Sequence, residues 1–204
     1  EPYNVYGGLQ DNGVWMASNQ SFESPYWYES GHNNWTKIMG GDSMQIQIDK
    51  RNNNIVYTGL QFGNYYRLDL ENESRKNIKP RHKLGQSPLR FNWQTPILIS
   101  KHNQDIIYFG SNKLHRSLDK GNNWDEISDD LTNGGLKGNV PYGTITTFDE
   151  STHEFGKIVV GTDDGNIILT QDSGTNWKQI NNGLPSSLWA VSYTHLTLPT
   201  MMSV

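Results

Sequence analysis

The sequence contains no cysteine, which excludes disulfides and thiol chemistry without fixing a compartment. No apolar run approaches the ~18 residues of a membrane-spanning helix. Charged residues are sparse at 19%, the net charge is −4, and lysine and arginine nowhere gather densely enough to track a phosphate backbone. Nucleic acid is therefore not an expected partner. The six histidines are scattered without an HExxH pair, and neither a GxSxG elbow nor a P-loop is present. No metal and no cofactor is expected. Apolar residues make up only 34%, yet aromatics reach 11%, and glycine and asparagine are abundant. That balance suits short half-buried strands joined by many turns better than long amphipathic helices.

The two chain ends are set aside before the fold is read. The chain opens at Glu1 rather than Met, so any signal peptide would already be missing. The closing stretch VSYTHLTLPTMMSV resembles a translated sequencing adapter, with Ala190 compatible with its onset. Residues 190–204 are read as a non-native tail, and no function is assigned to them, His195 included. The remainder reads as an internal piece of a longer protein.

What fills residues 1–189 is a repeat. VYGGLQDNG, IVYTGLQFGN, IIYFGSNK and KIVVGTDDGN align on Gly8, Gly59, Gly110 and Gly161, each 51 residues from the next. Around each anchor the pattern reads as four short strands separated by Asn-, Gly-, Asp- and Pro-rich turns. The first repeat lacks its opening strand and carries a long insertion, NQSFESPYWYESGHNN; the second has a weak fourth strand near Lys76. Four-stranded units of ~40–50 residues have the period of β-propeller blades. The expected fold is all-β: a propeller fragment of about three and a half blades, over 1–40, 41–90, 91–140 and 141–182, with another starting at 183–189. Such an arc cannot close on its own.

Two stretches share the spacing S/T-x-D-x-G-x-x-W. They are SLDKGNNW (Ser117, Asp119, Gly121, Trp124) and TQDSGTNW (Thr170, Asp172, Gly174, Trp177), each between the third and fourth strands. The carboxylate can accept backbone N–H groups, the hydroxyl can add a bond, the glycine allows positive φ, and the indole can cover the turn. These aspartates read as structural, because that turn lies at the outer rim, away from the axial mouth.

Ligand chemistry is sought where the loops converge on the axis. Two positions past each anchor glycine stand Gln10, Gln61, Asn112 and Asp163, with Asp11 and Asp164 adjacent. Inter-blade loops add Asp42, Arg90, Asn92, Trp93, Asp129 and Asp130. Amides, carboxylates and an aromatic suit a glycan- or peptide-binding face. The same residue types also serve ordinary turns. Paired acids raise glycoside hydrolysis, with Asp11, Asp163 and Asp164 as the catalytic candidates.

In order along the chain, GGLQDNG, RFNWQTPILIS, IYFGSNKLHRSLDKGNNW, ISDDLT and VGTDDGNIILTQDSGTNW resemble one group. It is the bacterial BNR or Asp-box repeat proteins with sortilin (VPS10) N-terminal-like propellers, similar to xyloglucanases and often described as glycosyl hydrolases. The sequence departs from that pattern at SKHNQ and at the paired acids of ISDDLT, and it lacks the FRIP-type arginine motif of sialidases. The resemblance implies a secreted, periplasmic or cell-surface scaffold that binds glycan or peptide beside the rest of its propeller. Alternatively, it implies a hydrolase of β-glucan-type polysaccharide.

Overall fold

The structure is a computed structural model that describes residues 2–22, 34–43, 45–135, 141–184 and 188–191. Most of the first repeat's insertion and the chain end from 192 lie outside these residues. The described chain is all-β, in four antiparallel sheets that are each a sequential meander. The first contains β1 (Asn4–Leu9), β2 (Gly13–Ser18) and β3 (Thr36–Met39); the second β4 (Gln47–Ile48), β5 (Ile55–Leu60), β6 (Asn64–Asp69) and β7 (Ser74–Asn77). The third contains β8 (Ile97–Ile99), β9 (Ile107–Gly110), β10 (Leu114–Ser117) and β11 (Asp125–Glu126). The fourth contains β12 (Ile145–Glu150), β13 (Ile158–Thr162), β14 (Ile167–Thr170) and β15 (Lys178–Gln179). These are successive blades of a partial β-propeller, the first short of its opening strand.

The 51-residue register extends to single hydrogen bonds. The turn joining the first two strands of a blade is closed by Asp49, Ser100 and Ser151 N–H groups, which donate to the carbonyls of Ile55, Ile106 and Lys157. The core lies between blades and not within them. Tyr57, Tyr65, Ile78, Phe91, Ile97, Ile99, Ile107 and Phe109 fill the second-to-third interface. Ile106, Tyr108, Leu114, Ile145, Ile158 and Val160 contribute to the third-to-fourth. A strand covered on both sides has no reason to alternate, and β9 is buried at every position. At the other extreme, β1 is exposed or half-buried along its whole length.

Three of the anchor glycines, Gly59, Gly110 and Gly161, are explained by close approach. A Cβ on Gly110 would lie 2.8 Å from Pro96 and 3.0 Å from Ile145 of the following blade. One residue further on, the backbone carbonyl receives that next blade: Leu9 accepts from Ser43 N–H and Ser111 from Ile145, and at the same place Thr162 accepts from Ala190, at the onset of the stretch read as a non-native tail.

The outer turns act as clasps between blades. Asp119 Oδ1 accepts from Ser117 Oγ and from the Asn122 and Asn123 N–H groups, while Oδ2 accepts from Asn123 Nδ2. The Asn123 N–H is the chief reason the Asp119 carboxyl is held down to about 2. Asp172 repeats the geometry with Thr170 and Asn176. The indoles, however, do more than cover their own turns. Trp124 Nε1 donates to the Ile78 carbonyl at 2.9 Å and Trp177 Nε1 to that of Ile127 at 3.0 Å, each acceptor just past the last strand of the preceding blade. Gly121, at φ +82°, would push a Cβ into Ile78. Asp119→Ala is expected to cost about 1–2 kcal/mol, as a lost cap does, visible as a lower urea midpoint. An unchanged midpoint would show that the turn holds without its carboxylate.

Candidate functional site

The turns after the second strand of each blade meet the inter-blade connections on one rim, and there the nominated residues fall. Asp163 is 1% exposed; Oδ1 accepts from the Gly143 and Thr144 N–H groups and Oδ2 from Thr144 Oγ1. Asp164, 8% exposed, accepts from Asn133 N–H and Thr162 Oγ1. Both carboxylates bind the connection entering their blade. Asn112 is likewise buried, with its amide between Arg90 N–H and Asp130 Oδ2. Arg90 completes the set, donating to Asp130 at 2.8 Å, to Thr132 Oγ1 and to the Gly143 carbonyl. Burial raises the Asp130 pKa, but its bonds from Thr132, Arg90 and Asn112 outweigh this and keep it below the ordinary carboxylate value. Asn92 donates to Thr144 Oγ1, joining the third and fourth blades.

Others are less engaged. Gln10 and Asp11 are exposed on the first blade, where Asp11, at φ +64°, donates its N–H to Asp42 Oδ1. Gln61 is half-buried, and its Oε1 has no partner among the described residues. Asp129 is exposed, and its backbone carbonyl accepts from Ser128 Oγ. Trp93 is half-buried against the second-to-third core and is not a free stacking plate.

A different set of residues meets at the axis. The starts of the inner strands form a cavity of about 230 Å³ lined by Gln45, Asn92, Gln94, Thr146, Thr147 and Trp189, together with Val191. Trp189 is 59% exposed. Gln45 and Gln47 lie along this axis, their Oε1 atoms accepting the Ile97 and Ile99 N–H groups of the next blade's inner strand. Among the described residues the lining holds amides, hydroxyls, an indole and Val191, and no carboxylate. The register argument missed these residues because it followed the turns. A polar position at the start of each inner strand (Gln45, Gln94, Thr146) was the signal that could have found them.

One contact has the composition of a nucleophile and base: Ser111 Oγ lies 2.8 Å from His115 Nε2. Both are sealed, at 0% and 1% exposure. Burial pushes the His115 pKa down to about 4, so the ring is neutral in the fold. Its folded pKa is depressed, so its contribution is complete above the unfolded value of about 6.5 and is lost as pH falls toward 4, by up to about 3 kcal/mol. Urea midpoints at about pH 7 and about pH 4.5 should differ more in the native chain than in His115→Gln. Equal differences would assign the acid sensitivity elsewhere. Among the described residues no group of His, Asp and Glu could hold a metal ion, and no helix is long and apolar enough to cross a membrane.

No protein-family model matches the chain, and no curated protein matches it. Solved structures do. The GH74 enzyme of Niastella koreensis matches with TM-score 0.56 and 13% identity over 86% of this chain and 27% of that one. The GH74 xyloglucanase of Xanthomonas campestris matches with TM-score 0.55 and 12% identity over 87% and 28%. The fold is that of a β-propeller. YCF48 bound to D1 peptide matches with TM-score 0.44 and 16% identity over 67% of this chain and 39% of that one. The chain spans about a quarter of the length of the two GH74 enzymes. Identities this low speak for the fold alone, because one fold hosts many chemistries.

Proposed function

We propose that this protein is a propeller scaffold that binds a glycan in the groove along its inner strands. The observation that carries the reading is Trp189, largely exposed, in one cavity with the amides of Gln45 and Gln94 and the hydroxyls of Thr146 and Thr147. An indole offers a stacking face to a sugar ring, and neutral amides and hydroxyls exchange hydrogen bonds with its hydroxyl groups. The sequence resemblance to BNR-repeat proteins supports an extracellular, periplasmic or cell-surface setting. It also names the outer clasps Asp-boxes.

The test is a tryptophan-fluorescence titration with β-glucan oligosaccharides and, separately, with extended peptides. Trp189→Ala is expected to weaken oligosaccharide binding about tenfold, the worth of one stacked ring at ~1.4 kcal/mol. Unaltered affinity in that variant would remove the reading; binding of peptides alone would replace glycan with peptide.

The hydrolase reading draws on the likeness to GH74 enzymes. Two-acid hydrolysis needs carboxylates about 5 Å or about 6.5–9.5 Å apart across the scissile bond. Among the described residues the groove presents none, and Asp163 and Asp164 are occupied by backbone and hydroxyl donors. Hydrolysis of a β-glucan panel that Asp11→Asn or Asp163→Asn abolishes would favour it; sugar binding without hydrolysis supports the scaffold.

A further inference from the structure

On the outer side of the second blade a cleft of about 370 Å³ opens between β6, β7 and the clasp of the third blade. Its lining includes Arg67, Arg75, Lys76 and Lys120, with Asp69 as the one carboxylate. Asp69 is already engaged by its own turn, accepting from the Glu71 and Asn72 N–H groups and from Asn72 Nδ2. Among the described residues, none of the ion pairs involves Arg67, Arg75 or Lys76, and Lys120 has only Asp105 at 3.7 Å. Neutral groups hold the cations instead. Arg67 donates to the Lys120 carbonyl at 2.8 Å, Lys76 to Asn122 Oδ1 at 2.6 Å, and Arg75 lies 5.8 Å from the centre of the Tyr66 ring.

The repeat supplies the control. Arg67 pairs across the sheet with Tyr57 and Lys76; at the same place in the third blade, Arg116 pairs with Tyr108 and Asp125. In the fourth blade the pair is Leu169 and Lys178, and Ser173 stands at the clasp position of Lys120. Like charges placed directly opposite destabilise a sheet. Only the second blade sets a cation opposite Arg67, and only its clasp neighbour adds another. The cluster forms in a protein of net charge −4. Four cations against one lining carboxylate that its own turn already engages, with Arg67 and Lys76 positioned by neutral acceptors, leave a guanidinium fork and ammonium groups in excess, the donor set of an oxyanion site.

We propose that this cleft binds a sulfate or phosphate group, free or carried as an ester on a larger molecule. The site is independent of the axial groove. Because the protein as a whole carries a net charge of −4, diffuse repulsion of polyanions works against binding anywhere else.

The experiment is a backbone-amide NMR titration of the full chain with inorganic sulfate, with inorganic phosphate, and with dextran sulfate against neutral dextran. Saturable shifts confined to residues around Arg67, Lys76 and Lys120 are expected. Arg75→Gln with Lys76→Gln should lower affinity about tenfold or more, whereas Lys101→Gln, at a distant ion pair, should not. Dextran sulfate binding well above sulfate would identify an ester on a polymer as the source; equal binding would identify the free ion. Lys76→Asp, which recreates the pairing of the third blade, should raise the melting temperature while abolishing binding. Scattered or non-saturating shifts, or undiminished binding in the double Gln variant, would overturn the site.

Discussion

Replacing Glu150 by alanine is expected to destabilise the protein by about 3–5 kcal/mol, although the residue lies at the end of a strand and outside the lining of the axial groove. Glu150 is 1% exposed, and its carboxylate gathers four donors. Oε2 accepts from Ser100 Oγ at 2.6 Å and Lys101 N–H at 3.0 Å; Oε1 accepts from Tyr108 OH at 2.9 Å and Gly156 N–H at 3.2 Å. Ser100, Lys101 and Tyr108 belong to the third blade and Glu150 to the fourth, so one side chain joins the two. Truncation leaves buried donors without an acceptor at about 1–3 kcal/mol each. Glu150→Gln keeps the shape but replaces one acceptor oxygen with an NH2 group facing donors, and a smaller loss is expected. Equilibrium urea unfolding separates the outcomes. A shift within about 0.5 kcal/mol for the alanine variant, as at ordinary surface sites, would mean that water replaces the carboxylate at no cost.

Phe109→Ala should cost about as much, roughly 3–5 kcal/mol, by a different mechanism. Phe109 is fully buried and meets three aromatic rings edge-on: Tyr65 at 5.4 Å, Trp124 at 5.6 Å and Phe91 at 6.0 Å. Tyr65 lies in the second blade, Phe91 in the connection, and Trp124 in the third blade's clasp. Removing the ring leaves a cavity at the centre of the interface. Such a loss is a large share of the ~5–15 kcal/mol that holds a typical domain together. Leu118→Ala, at a side chain 57% exposed on the clasp, is the control and should be nearly silent. Similar unfolding curves for the two variants would refute an interface built around Phe109.

The repeat was readable because its causes are local. Each blade must turn at the same places, so glycine, asparagine and aspartate recur at fixed intervals, and strands between them carry β-branched and aromatic residues. Among the described residues the first repeat forms a three-stranded sheet, as read, whereas the fourth strand near Lys76, expected to be weak, is a regular four-residue strand with four ladder pairs, longer than β11 and β15. The site was far less readable. Asp163 followed by Asp164 has the composition of a reactive acid pair, and its role turned on Asn133, Gly143 and Thr144, which donate to the two carboxylates from the connection between the third and fourth blades. Trp93 and Trp189 stand at different places in the repeat: Trp93 precedes β8 and packs against the second-to-third core, whereas Trp189 follows β15 and is 59% exposed. What each indole packs against depends on which blade faces it, and that is not written in the residues around it.

Alone, then, the sequence determined an all-β chain of 51-residue blades, the positions of its strands and the geometry of its outer turns. Those features depend on backbone conformation and hydrogen bonds within a few residues. The tertiary structure decided that the tryptophans of those turns reach the carbonyls of the preceding blade, 46 and 50 residues away. It also decided that the acids of the rim fasten connections, that the axial groove is lined by amides, hydroxyls and an indole, and that four cations share an outer cleft. Each of these depends on which blade faces which, and that is fixed only when one blade buries its face against the next.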